Sequence, residues 1–144
     1  MSIDTLEFAD LQSNVLKTRR SHLNLLAPDI GKAYVVAITR DGCPACKRQK
    51  PKLEKLAKAL KEKYRNKVVF TQVHVRRPAN SDKESLRSKD LLGHYFYPTN
   101  LILFKTRDRG AIEYYKSASP RMSELKRNIE TAIEMATMIA KEKM

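Results

Sequence analysis

Apolar positions along this chain recur with two spacings, one helical and one extended, and their alternation lays out the elements. Phe8, Leu11 and Val15 share one helical face. Asp4 stands where a helix cap belongs, with Glu7 three residues on as its capping partner, so the spacing predicts a helix from about Thr5 to Lys17. SHLNLLAPDIGK reads either as a short edge strand or as an irregular connection ending near Pro28 to Gly31. AYVVAIT, Ala33 to Thr39, is a β-branched apolar run of the kind that suits a buried strand, and Asp41-Gly42 breaks it. A helix then opens at the cysteines and runs to about Tyr64, with Leu53, Leu56, Ala57 and Leu60 as its apolar stripe.

Beyond it, KVVFTQVHV from Lys67 to Val75 is the next strand. Ser81 and Glu84 have capping-box spacing for a short helix ending near Leu92-Gly93. LILFK, Leu101 to Lys105, is a strand, Arg107 to Gly110 is a turn, and Ala111 to Lys116 is the partner strand. Ser119 with Pro120 marks the start of a last helix whose core face is Leu125, Ile129, Ala132, Ile133, Ala136 and Ile139. Strands alternating with helices imply a parallel section, and the late hairpin adds an antiparallel one. The expected class is α/β: a mixed sheet covered by helices, with residues 1–32 as an N-terminal helix and connection packed on a domain spanning 33–144.

Charge changes the picture. Twenty-nine Lys and Arg against sixteen Asp and Glu give a net charge of +13. Such a balance attracts acidic partners, whether protein surfaces, nucleic acid or an anionic membrane, or simply keeps the surface solvated. Eight basic residues between Lys47 and Lys63 lie off the apolar stripe of their helix, as a solvated face would. No nucleic-acid reader motif is visible, and aromatic residues are not interleaved with the basic ones as a stacking platform requires. The N-terminal MSIDTLEFADLQ has early acids and no apolar core of signal-peptide length, so a cytoplasmic protein without membrane association is expected.

Only two cysteines are present, Cys43 and Cys46, in DGCPACKRQKP. They are too few for a disulfide scaffold, which leaves a redox couple, part of a metal site, or two inert thiols. Zinc needs about four ligands, and the spacing of His22, His74 and His94 matches no common zinc module, so no metal is expected. His74 falls mid-strand and reads as a packed or surface residue. Cys43 falls at a helix start, where the dipole stabilises an anion and lowers a thiol's pKa; Lys47 and Arg48 would add to that effect. Cys46 lies nearly one turn on, on the same side, with Cα atoms about 5 Å apart, inside the range a disulfide accepts.

Strand, then C-P-A-C-K-x-x-x-P, then a basic helix resembles the active-site segment of the thioredoxin superfamily, with Pro51 where that family carries a helix-kinking proline. GHYFYPTNLILFK, Gly93 to Lys105, is similar to a second motif of the family, a glycine followed by a cis-proline, a Thr, an apolar strand and Lys. The resemblance covers about Ala33 to Ala140. It implies a thioredoxin-like mixed sheet of four to five strands flanked by helices. It also implies a thiol–disulfide oxidoreductase acting on protein disulfides, with Cys43 as nucleophile, Cys46 as resolving thiol and Pro98 packed against them. Gly42, Tyr97 and Thr99 would then meet substrate, although packing is the plain alternative for Tyr97. No cofactor is implied. The implied partners are disulfide-bearing proteins and an electron donor such as a flavin disulfide reductase; the positive charge around Cys43 would select acidic substrates among the former.

The chain also departs from the family. Ala37 stands where thioredoxins carry the buried aspartate that helps deprotonate the second cysteine, and Gly42 stands where a tryptophan usually precedes the first. KSASP lacks the substrate-docking glycine that follows the hairpin in thioredoxins. Cys-Pro is shared with glutaredoxins, but the groups that hold glutathione there are missing after Pro98. The direction of the redox reaction stays open between reductase, oxidant and isomerase. The alternative reading is a basic binding module of the same fold, with little redox activity, for an acidic partner or nucleic acid.

Overall fold

A computed structural model describes residues 3–142. Among these, five strands form one sheet in the order β1-β3-β2-β4-β5: β1 Asp4–Glu7, β2 Ala33–Arg40, β3 Val68–Val75, β4 Thr99–Lys105 and β5 Ala111–Ala118. β2 runs parallel to β3 and antiparallel to β4, so the sheet is mixed. β2 is central and covered on both faces, which is why its sequence is a continuous apolar run; every residue from Ala33 to Thr39 is buried.

Helices cover both faces. α3, Pro44–Tyr64, and α5, Met122–Lys141, pack on one side, over Ala33, Val35, Ala37, Phe70, Ile102 and Phe104. α1, Phe8–Thr18, α2, His22–Leu26, and α4, Lys83–Leu92, lie over the other side, where Phe8, Leu11, Leu26 and Leu92 join Ile38, Val73 and Leu101. The stripe read from α3 is buried as expected. In α5, Leu125, Ile129, Ala132, Ile133 and Ala136 are buried, with Ile139 packed at the border. The Arg107 guanidinium donates to the carbonyls of Ile139 and Ala140, which caps the C-terminal end of α5 from the hairpin turn. Gly110 takes φ +74 there, and an added Cβ would lie 2.8 Å from Asn24 Oδ1, which accepts from the Ala111 amide.

Four local expectations are corrected. Asp4 and Glu7 do not form a capping box: Asp4 to Glu7 pair in parallel with Thr71 to His74, and α1 begins only at Phe8. An open sheet edge at β3 outweighs a local cap, because pairing satisfies backbone groups that a cap would leave to water. The ambiguous SHLNLL becomes the short helix α2, whose Ser21 hydroxyl accepts from the Asn24 amide. Ser81 and Glu84 do not cap each other; Asp82 stands at the start of α4, and Glu84 accepts from the Arg76 amide instead. Ser119 sits at φ +49, which an N-cap does not adopt, and Arg121 takes that position in extended backbone.

Candidate active site

The strand β2 delivers the chain to the site. Past Arg40 the backbone turns through Gly42 at φ +67, the left-handed region that glycine occupies without strain, and enters α3 at Cys43. Cys43 is the N-cap residue of α3, and its Sγ accepts from the Cys46 amide at 3.1 Å. Pro44 fits at the first helical position because no intrahelical partner is required of its nitrogen. Cys43 and Cys46 are joined in a disulfide with Cα atoms 5.3 Å apart. Both are largely buried, at 5% and 9% exposure. They line a cleft of about 190 Å³ together with Gly42, Lys47 and Lys50. Arg48 is not brought to it: that side chain lines a separate depression with Ala45, Lys52 and Pro120.

The second motif meets both the cysteine helix and the strand that leads into it. Pro98 is buried, the Tyr97–Pro98 peptide is cis, and the following Thr99 pairs with Ile38 of β2. The Arg40 guanidinium lies 5.3 Å from the centre of the Tyr97 ring. Deeper, the Gln49 and Asn100 side-chain amides bond reciprocally, at 3.1 and 2.8 Å, both buried. That pair ties the helix of the cysteines to the strand that follows the proline. Tyr97 is half-buried and fully engaged: its hydroxyl is 2.9 Å from Ser85 Oγ, and its ring meets that of His94 edge-on. Thr99 is buried and its hydroxyl donates to the Phe96 carbonyl at 2.7 Å, so its side chain faces the loop rather than solvent.

Three polar groups here escape a reading of sequence. His74 is not merely packed. Its Nε2 is 2.7 Å from Asp41 Oδ1 and its Nδ1 is 3.1 Å from Thr39 Oγ1, and all three residues line the cysteine cleft. The Asp41 carboxyl, bonded by the Arg77 amide first and by His74 second, is held below its ordinary range. Gln49 and Asn100 carry no motif; only the three-residue step from Cys46 to Gln49 hints that Gln49 shares the inward face of α3.

His94 is the third. It is 2% exposed, its Nδ1 donates to the Phe96 carbonyl, and its Nε2 accepts from the Ser88 hydroxyl at 2.8 Å. Burial above all pushes its pKa down to about 4; the Phe96 carbonyl opposes that, and Lys89 and Lys116 reinforce it. The unfolded chain takes this proton near pH 6.5, whereas the folded chain resists it until about pH 4. The stability held in neutral His94 is therefore complete above about pH 6.5 and drains away as pH falls towards 4. Urea unfolding at pH 7 and pH 4 should show a loss of about 2–3 kcal/mol in the parent chain, after some solvent screening, that His94→Gln does not share. Equal losses in both chains would remove His94 as the acid-sensitive group of this loop.

No protein-family model matches this sequence, and no curated protein matches it either. Solved structures do. The Trx4 domain of ERdj5 superposes with a TM-score of 0.62 at 15% identity, over 94% of this chain and 98% of that one. Thioredoxin f from spinach chloroplast, in its short form, gives 0.58 at 18% identity over 91% and 93% of the two chains. The chain has the thioredoxin fold. Thioredoxin NaTrxh from Nicotiana alata is similar in the same way, with a TM-score of 0.58 and 21% identity over 91% of this chain and 94% of that one. Within that fold the Cys43–Cys46 disulfide lies just past the end of the central strand β2, at the start of α3. Among the described residues, no helix is long and apolar enough to cross a membrane. Among them too, no group of three or more His, Cys, Asp or Glu stands close enough to hold a metal ion.

Proposed function

We propose that this chain is a thiol–disulfide oxidoreductase that exchanges electrons with protein disulfides through Cys43 and Cys46. One observation carries the reading: Cys43 Sγ caps α3, accepting a backbone amide at its positive end, within disulfide reach of Cys46. A thiolate in that position keeps the amide bond and gains from the helix dipole. Lys47, in the same cleft, adds a positive charge.

In the reducing direction the Cys43 thiolate attacks one sulfur of a substrate disulfide, forming a mixed disulfide and releasing the other sulfur as a thiolate. Cys46, as thiolate, then attacks Cys43 Sγ, the Cys43–Cys46 bond forms, and the second substrate sulfur leaves. Two electrons pass from the dithiol to the substrate, and the reverse sequence oxidises a substrate dithiol. The cations Arg40, Lys47 and Lys50 on the cleft wall favour substrates with acidic residues beside the disulfide. A flavin disulfide reductase is the class of donor that would return the pair to the dithiol. Gly42 and Pro98 are the backbone neighbours an extended substrate segment would meet.

Redox titration of the pair against a glutathione or dithiothreitol buffer, with thiol trapping and mass readout, tests this. A potential between about −270 and −120 mV is expected, and its place in that range distinguishes reductant from oxidant. A pair that stays oxidised below about −300 mV, or never closes, would overturn the reading and leave the basic surface as the working feature.

A further inference from the structure

The cleft that holds the cysteines is walled by ionisable groups that the exchange steps above leave idle. Thr39 and His74 are register partners on β2 and β3, and Glu7 of β1 is in register with His74 on its other side. A carboxylate can only accept, so the 2.7 Å contact with Asp41 places a proton on His74 Nε2. Neutral imidazole then offers a lone pair at Nδ1, and the Thr39 hydroxyl 3.1 Å away donates to it. The Thr39 oxygen is left with lone pairs to accept a further proton. Thr39 and Cys46 line the same two depressions, the cysteine cleft and a second one beneath α3. Ala37 lines that second depression too, so the sheet offers no acid at this point.

Building on the dithiol reading, we propose that His74 is the proton acceptor for the Cys46 thiol, acting through the Thr39 hydroxyl and held in its tautomer by Asp41. In the mixed disulfide, the Cys46 S–H proton passes to the Thr39 oxygen as the Thr39 proton passes to His74 Nδ1. The Cys46 thiolate attacks Cys43 Sγ, the substrate sulfur leaves with the electron pair, and the imidazolium returns the proton to it. The cysteine pair is oxidised and the substrate disulfide reduced, with no other oxidant or reductant.

Charges on every side bear on the imidazolium. Asp41 from the turn and Glu7 from β1 favour it. Arg40, together with Lys47 and Lys50 of α3, opposes it from the cleft wall. Arg76 and Arg77 stand at the end of its own strand, and the Arg77 amide is the second partner of Asp41. Glu54 lines the inner depression with Cys46 and is the rival acceptor.

The test loads Cys43 with 5-thio-2-nitrobenzoate and follows release of the coloured thiol, which requires attack by Cys46, from pH 5 to 9. The parent chain should show a rate that changes with pH through an inflection within that range. His74→Asn should lose that inflection and slow release about tenfold or more at pH 7. Thr39→Val should behave like His74→Asn, and Thr39→Ser should restore the inflection; this pair carries the test if His74→Asn does not fold. An unchanged pH profile in His74→Asn or Thr39→Val overturns the proposal, as does an inflection that disappears in Glu54→Gln instead. If Cys43 in the parent chain takes no label, the dithiol reading falls and this inference with it; if it takes label and the profiles do not move, this inference falls alone.

Discussion

Cys43→Ser should lower the rate of protein disulfide reduction by about a thousandfold or more, because the attacking sulfur is gone and a serine hydroxyl at neutral pH does not replace a thiolate. Cys46→Ser should fail differently. Its Cys43 still caps α3 and still attacks, but nothing within the chain displaces the substrate, so a mixed disulfide accumulates. Incubating both variants with a disulfide-bearing protein and reading covalent adducts by mass separates the roles. An adduct on Cys43 in Cys46→Ser and none in Cys43→Ser is the expected pattern. Adducts on Cys46 in the Cys43→Ser chain, with exchange continuing, would exchange the two assignments.

The second large effect concerns stability. Phe8→Ala should cost about 3–5 kcal/mol, the usual range for emptying a fully enclosed aromatic site. Phe8 has no exposed surface and packs with Leu11, Leu26, Val73, Val75 and Leu101, residues drawn from α1, α2 and two strands of the sheet. Because β1 hydrogen-bonds along β3 immediately before Phe8, the segment is part of the sheet and the core together. Denaturant unfolding should show one transition moved to lower denaturant with an unchanged slope. A loss below about 1 kcal/mol, or a separate early transition, would mean that residues 4–18 are an appendage that the remainder does without.

The elements most legible in the sequence were those whose packing is periodic. β2, α3, β4 and α5 each carry long apolar patterns that only one geometry buries, and the two motif segments around Cys43 and Pro98 stand out against them. The N-terminus misled because Asp4 and Glu7 satisfy a local cap as well as they satisfy a strand; the deciding partner, β3, lies over sixty residues away in register with them. Ser119 and Ser81 misled in the same manner, since cap chemistry names candidates without saying which backbone will be extended. At the site, the cysteines were readable from spacing, but what surrounds them was not. Thr39 with His74, Gln49 with Asn100, and Ser88 with His94 are pairs created by register and by helix placement. Arg48 shows the converse: next to Lys47 in sequence, it points to another depression, because one residue along a helix is a turn of about 100°.

The reciprocal amide bond between Gln49 and Asn100 has a bearing on how this protein meets acid. Neither group carries a charge or takes up a proton in the physiological range. The strut between the cysteine helix and the proline strand thus has no titrating group of its own. Proton-sensitive groups lie elsewhere, at His94 under the aromatic loop and at Asp41 on the edge of the cleft, whose carboxyl is held below its ordinary range. Acid reaches this site by its rim and leaves its floor untouched.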